Sequence, residues 1–513
     1  MTRIPLRPLA RILGARRNGD NPDMIERENI RQRNEDMRDR ARVRAEGRLL
    51  VIGLFFLGAF VVVGLRMADL STSKPEQPRE VSRGSPIVAQ RADITDRNGR
   101  ILATNLITSS LYAQPRTMVD KARAARELSA IFSEFDETEL LKKFNSGRSF
   151  LWLRRKLAPE QIQAVYDIGE PGLLFGPREM RLYPNGRLAS HILGGASFGR
   201  EGVRRAEVIG VAGVEKRFDD YLRDPANEGA ALQLSIDLSV QDATERVLLG
   251  GMRMMNARGA ASVLMDVYTG EVIAMVSLPD FDPNTRPDPP TTGLASDSPL
   301  FNRAVQGVYE LGSVFKIFTA SQALDEGLVT PQTKINTSGP ILAGGFRITD
   351  FKNYGPELSV TDVVVRSSNL GAVRIAEMIG AERQQEFMRA LGFLDPTAVE
   401  LVEAPGTHPL APEDWTDISV MTISYGHGIS ISPLHLAAGY ASILNGGRKV
   451  EPTLLRQDGP RLGARIVSQE TSRIARDMLR QVVVRGTASF GEVPGYEVGG
   501  KTGTADKPKD NGV

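Results

Sequence analysis

The chemistry-bearing residues of this chain begin at Gly312-Ser313-Val314-Phe315-Lys316. From Ser313 to Leu324 apolar residues recur at helical intervals, and the pattern stops before Gly327. On a helix, Ser313 and Lys316 share one face within a turn. A serine hydroxyl is a poor nucleophile until a base takes its proton. A lysine is such a base when burial and cationic neighbours lower its pKa. Ser313 at the helix start gains from the dipole, which steadies a developing oxyanion. The pair alone carries little weight. Ser71 and Lys74 repeat it, followed by Pro75 in a linker with no helix, and read as a chance match.

Two further elements give it weight. Ser367-Ser368-Asn369 falls between two helical stretches, Thr361 to Arg366 and Leu370 to Ile379, where a turn pushes a hydroxyl and an amide into a cleft. Lys501-Thr502-Gly503-Thr504 closes a strand-like segment from Tyr496. There Gly503 lets a substrate approach the backbone closely, and Lys501 offers charge to a carboxylate. Each element alone reads as structural. In this order, Lys316 some fifty residues before Ser367 and Asn369 some one hundred and thirty before Lys501, they form a set.

These groups need a scaffold, and 513 residues are enough for two or three domains. With 41% hydrophobic and 25% charged residues the composition is that of ordinary globular protein, and a net charge of +2 gives no sign of nucleic-acid binding. The absence of cysteine excludes disulfides and thiol chemistry and suits an oxidising compartment. His191, His408, His427 and His435 include no i, i+4 pair, so neither a metal site nor a cofactor is expected. Leu49 to Leu65 is an unbroken apolar run between Arg48 and Arg66, extendable to Leu70. Its length is that of a short membrane-spanning helix, and it has no polar face. Residues 1–48 hold 13 arginines against 8 acidic residues. The positive-inside rule puts this tail in the cytoplasm and everything after Leu70 outside, on an uncleaved anchor. Asp23 to Glu46, with both charge signs at helical spacing, reads as a solvated helix.

Residues 71–90 read as a linker. In Arg91-Ala-Asp-Ile-Thr-Asp-Arg-Asn-Gly-Arg-Ile-Leu-Ala103, Asn98-Gly99 predicts a hairpin. Lys121 to Asn145 and Glu215 to Leu222 look helical, and nothing up to residue 230 assembles a catalytic group. Beyond it, Leu232 to Ile236 alternates like a strand. Ser239 to Met255 reads as a helix capped by Asp237 or Ser239, and Ala260 to Asp266 and Glu271 to Ser277 as a hairpin. The pattern is then mostly helical to Ile443, with strand signals again near Tyr496 to Thr504. Strands at both ends with helices between predict an α+β domain, an antiparallel sheet carrying a helical cluster. The domains expected are a cytoplasmic tail 1–48, a transmembrane anchor 49–70, a non-catalytic pedestal 71–230 and a catalytic domain 231–513.

Taken together, the Ser-x-x-Lys, Ser-x-Asn and Lys-Thr-Gly set, Arg91 to Ala103, Gly210-Val-Ala-Gly-Val-Glu215 and Asn302-Arg303-Ala-Val resemble the class B penicillin-binding proteins. Ser424-Tyr-Gly-His-Gly428 and Gly499-Gly-Lys-Thr-Gly-Thr-Ala505 are most similar to the division-specific, septal branch. Leu311 departs from the family, which often has proline there, and touches the helix start rather than the chemistry. The resemblance implies a serine D,D-transpeptidase that cross-links peptidoglycan on the periplasmic side of the inner membrane. It implies that Ser313 is acylated by a D-Ala-D-Ala stem peptide and also by β-lactams. Lys316 is then the base, Ser367 relays a proton to the leaving amine, and Asn369 binds the peptide and Lys316. Lys501, Thr502 and Thr504 hold the terminal carboxylate, with Gly503 between them, and the N–H groups of Ser313 and Thr504 form the oxyanion hole. His427 then reads as structural, since a base is already supplied. A septal SEDS-class glycosyltransferase and other division proteins are the implied partners.

Alternatives are an elongation-specific class B enzyme, a β-lactam receptor, a hydrolase and a non-catalytic scaffold. A class A hydrolase would need a Glu-x-x-Leu-Asn between Asn369 and Lys501, and none is there. A receptor would need a signalling domain or extra spans. A scaffold would not need the intact Ser, Lys and Asn set. The family fold also implies further strands and a helix after Val513, so the chain as given is expected to be incomplete and catalytically dead. Penicillin uptake by residues 71–513 beside a longer version checks that expectation.

Overall fold

The computed structural model describes residues 4–72, 91–198 and 208–506. The chain falls into two compact units, Met1–Ile87 and Val88–Val513. In the first, the helix Leu9–Asn18 ends on Gly19 in a left-handed C-cap and buries Ile12 and Ala15. Asn29 Nδ2 donates to Pro5 O at 3.0 Å, tying the start of the chain to the second helix, Pro22–Thr72. Among the described residues no helix is long and apolar enough to cross a membrane. The described side chains of the expected span are those of residues 51–65, which are apolar and exposed; 49, 50 and 66–70 lie outside the described side chains. The helix Pro22–Thr72 takes in Ser71 and Thr72, the first two residues of the expected linker, while residues 73–90, Lys74 among them, lie outside the described residues.

In the second unit a mixed sheet is built on the long strand Ile101–Ala113, flanked antiparallel by Leu151–Leu157 and Leu173–Leu182. The predicted Asn98-Gly99 turn joins it to Ile94–Thr95, with Gly99 at φ +81 and Asp96 Oδ1 accepting from the N–H groups of Asn98 and Arg100. Leu232–Gln233 runs parallel to Ile94–Thr95, so the chain returns to this sheet before entering the helical region. The helical stretch expected over Lys121 to Asn145 is made of two helices, Lys121–Ile131 and Glu137–Phe144. Phe132 turns to an extended conformation and buries its ring, and Asp136 caps the restart by accepting from Glu139 N. The helix near Glu215 is likewise split, into Gly213–Arg217 and Asp219–Arg223.

The helix Leu238–Met254 is capped by Asp237, whose carboxylate accepts from Ser239 N and Val240 N. Ala260–Met265 and Val272–Leu278 pair antiparallel, as predicted. The helices Lys316–Asp325, Val360–Arg366, Asn369–Ile379 and Gln469–Arg485 pack around Phe315, Phe318, Phe393 and their aliphatic neighbours. Gly439 is required there, because a Cβ would lie 2.3 Å from the Phe393 ring. Burying a ring such as Phe318 contributes roughly 1.5–3 kcal/mol. The strand expected over Tyr496 to Thr504 is not formed. A strand exists only where a neighbour answers its backbone groups, and among the described residues none runs beside this segment.

Candidate active site

The nucleophile turn is tighter than an α-helix. Gly312–Phe315 is a 3₁₀ turn that feeds the helix Lys316–Asp325. Gly312 takes φ +62 and donates its N–H to Gly426 O at 3.1 Å. Tyr440 OH donates to Val314 O at 2.9 Å, and Thr319 Oγ1 to Ser424 O at 3.0 Å, so the buried side of this helix is pinned by polar contacts as well as by Phe315.

Lys316 is 1% exposed. Its Nζ lies 2.6 Å from Ser313 Oγ, 2.7 Å from Asn369 Oδ1, 3.0 Å from Ser367 O and 3.1 Å from Ser367 Oγ. Burial, and then the neighbouring charge of Lys501, lower its pKa to about 7, with Asp350 opposing. The neutral amine has two N–H donors and one lone pair. Two neighbours, Asn369 Oδ1 and Ser367 O, are carbonyl oxygens that only accept, and they take the two donors. The lone pair is left facing a hydroxyl, and Ser313 Oγ is the nearest.

Ser367 ends the helix Val360–Arg366 in the left-handed region, at φ 62 and ψ 43. Ser368 caps the next helix: its Oγ accepts from Gly371 N at 2.9 Å and donates to Asp350 Oδ2 at 2.6 Å. Asn369 Nδ2 donates to Thr349 O at 3.1 Å, which turns the amide oxygen toward Lys316. Thr349 and Asp350, with Arg347, Lys352 and Tyr354, line an open cavity of about 530 Å³ beside this turn.

Lys501 closes the group. Its Nζ donates to Ser367 Oγ at 3.0 Å and Thr502 O at 2.8 Å, and burial lowers its pKa to about 8. Ser367 Oγ therefore stands between two lysine amines. Thr502 Oγ1 pairs with Thr487 Oγ1 at 2.8 Å. Gly503 has a packing reason that the sequence did not suggest: a Cβ there would come within 2.6 Å of Leu311 O. The Thr504 backbone lies against Gly312, where a Cβ would meet Thr504 O at 2.2 Å. Among the described residues the Thr504 N–H makes no hydrogen bond within the protein.

All eight residues singled out in the sequence thus gather at one place. Missing from that reading were Thr349 and Asp350, which brace the Ser367–Asn369 turn, and Glu310. Glu310 Oε1 accepts from Gly428 N at 2.7 Å, and its Oε2 lies 3.0 Å from His427 Nδ1, so the described hydrogen bond of the His427 ring is to this carboxylate. No local pattern marks these residues, because their partners lie far away in sequence.

Comparison with known proteins places similarity along most of the chain. Residues 260–512 match the penicillin binding protein transpeptidase domain, and residues 86–228 match the penicillin-binding protein dimerisation domain. The chain is 34% identical over 483 residues to a probable peptidoglycan D,D-transpeptidase FtsI of Caulobacter vibrioides, covering 92% of this chain and 78% of that protein. It is 27% identical to the peptidoglycan D,D-transpeptidase FtsI of Escherichia coli, over 90% of this chain and 82% of that one. The crystal structure of penicillin binding protein 2X from Streptococcus thermophilus shares the fold, with a TM-score of 0.66 at 20% identity over 83% of this chain and 72% of its own.

Proposed function

The chain belongs to the penicillin-binding transpeptidase family, and from that premise we propose how its own residues perform peptidoglycan D,D-transpeptidation. The enzyme is a serine-type D,D-transpeptidase of class B that acts on peptidoglycan and binds β-lactams. Ser313 Oγ attacks the carbonyl between the two D-alanines of a stem peptide while Lys316 Nζ takes its proton. The N–H groups of Ser313 and Thr504 face the oxyanion; a donor of this kind is worth about 2.7–4 kcal/mol of barrier. Lys501, Thr502 and Thr504 hold the terminal carboxylate, with Gly503 setting the segment against the nucleophile turn. As the C–N bond breaks, the proton passes from Lys316 through Ser367 Oγ to the departing D-alanine amine. An amine of a second peptide then attacks the ester, gives up a proton along the same path, and Ser313 leaves as its hydroxyl. A β-lactam opens on Ser313 in the same way and stays attached.

The observation that carries this reading is the buried lysine amine 2.6 Å from Ser313 Oγ, with a pKa brought near neutrality. Replacing Lys316 by arginine keeps the positive charge but removes the base. Acylation by a fluorescent penicillin should collapse while the melting transition persists. Near-normal acylation of that variant would mean that another group removes the proton.

The remaining organisation is part of the same proposal. Residues 1–48 are a cytoplasmic tail, 49–70 a single inner-membrane span, 71–230 a pedestal and 231–513 the periplasmic catalytic domain. Support comes from the apolar run between Arg48 and Arg66, the excess of arginine before it, and the separate matches over 86–228 and 260–512. The site of action is the division septum, beside a SEDS-class glycosyltransferase that meets the span and the pedestal. The similarity to FtsI proteins supports this branch over the elongation one.

A further inference from the structure

We propose that Asp350 is a positioning residue for acylation, holding the Ser367–Asn369 turn in the conformation that aims Ser367 and Asn369 at Lys316. This rests on the reading of Lys316 as the base. The turn needs holding. Ser367 is a non-glycine residue at φ 62, a conformation that costs an L-residue roughly 1–2 kcal/mol. Such a residue persists only where its surroundings over-determine it. Its own backbone supplies two bonds, Ser367 N to Val364 O and Ser368 N to Val363 O, which close the preceding helix.

The bonds that fix the far side of the turn come from another element, the segment after the hairpin Ile341–Ile348. Asp350 Oδ1 accepts from Leu370 N at 3.0 Å, and Asp350 Oδ2 accepts from Ser368 Oγ at 2.6 Å. Ser368 Oγ, held in this way, keeps its lone pairs for Gly371 N. The carboxylate therefore commits both oxygens to the first turn of the helix Asn369–Ile379, where negative charge is favoured. Thr349 adds the contact that decides which way the Asn369 amide faces. Its carbonyl takes the Nδ2 donor and leaves Oδ1 for Lys316. Lose the carboxylate, and Ser368 loses its acceptor, the helix start loses a partner, and the strained Ser367 is free to relax away from Lys316 and Lys501 together.

A plain helix cap would be expected to do less. Two charged groups act on Lys316 from the elements packed around it, Lys501 from the 501–504 segment and Asp350 from its own loop. They oppose one another: the Asp350 charge favours the protonated lysine and Lys501 the neutral one. Removing the Asp350 charge should therefore make Lys316 easier to deprotonate, whereas moving it on a longer side chain should not.

The test uses Asp350→Asn and Asp350→Glu in the full-length protein, with penicillin acylation rates measured across neutral pH and thermal melts alongside. Asp350→Asn should lose about tenfold or more of its plateau rate, since small displacements of positioned groups have effects of that size or larger. Its acid limb should move to lower pH. Asp350→Glu should lose rate with the limb in place. Wild-type rates in Asp350→Asn would overturn the proposal. So would a rate loss with an unmoved limb, which would make Asp350 a cap and nothing more. Normal acylation by Lys316→Arg in the same series would instead bring down the base assignment beneath it.

Discussion

A lysine can take a proton from a hydroxyl only while it is uncharged, and burial of Lys316 beside Lys501 brings that condition within reach of neutral pH. Below about 7 the amine is protonated, so acylation should fall about tenfold per pH unit on that side. Lys501 needs the opposite state. Its charge holds the substrate carboxylate and is lost above about 8. The rate constant kcat/KM for a carboxylate-bearing substrate should thus trace a narrow bell between these limits. A profile flat from mildly acidic to mildly alkaline pH would contradict both assignments. At this scale much was legible in the sequence, because Ser313, Lys316, Ser367, Asn369 and Lys501 belong to short motifs whose spacing carries the chemistry. Asp350 and Glu310 were not. Each is an ordinary acidic residue until the fold brings it to Ser368 or to Gly428.

The elements place these residues through close backbone approach. Gly312 sits between Gly426 and Thr504: its N–H bonds Gly426 O, and a Cβ on it would lie 2.2 Å from Thr504 O. Gly495 has a positive φ of 86 as well, but open space around it. Gly495→Ala should therefore show only the conformational cost, on the order of 1–2 kcal/mol. Gly312→Ala should show that cost and also lose most acylation, because the 501–504 segment must move. Equal effects of the two on acylation would mean that the segment is not seated on the turn. The helices were legible from periodicity and caps, as with Asp237 before Leu238–Met254. The breaks were not. Phe132 and Asp136 interrupt a pattern that would otherwise continue, and only the burial of Phe132 explains why the chain turns there. The 496–504 segment failed as a strand for the converse reason, since a pattern of side chains cannot supply a neighbour.

At the scale of the whole molecule, the region before residue 230 is knitted by a buried ion network. Arg91 and Arg181 both pair with Glu215 at 2.6 Å, all three almost wholly buried, and Arg91 also reaches Asp219 at 2.7 Å. Glu215→Gln removes the charge that both buried guanidinium groups share and leaves Arg91 with Asp219 alone. It should cost about 3–5 kcal/mol of stability, read by thermal melting; a change under about 1 kcal/mol would show that the network is incidental. The proposed span is tested in cells. Gly53, Gly58 and Gly64 would allow close helix contact in lipid, so exchanging 49–70 for an unrelated span should weaken division and complex formation. Intact division would leave only a tether. Depletion of the protein should give filaments; spheres would assign it to elongation. The most direct test of the central claim is to label the full-length protein with a fluorescent penicillin and map the adduct by peptide mass. The label should lie on Ser313 and vanish in Ser313→Ala. Label that survives that substitution, on Ser71 or anywhere else, would contradict the account.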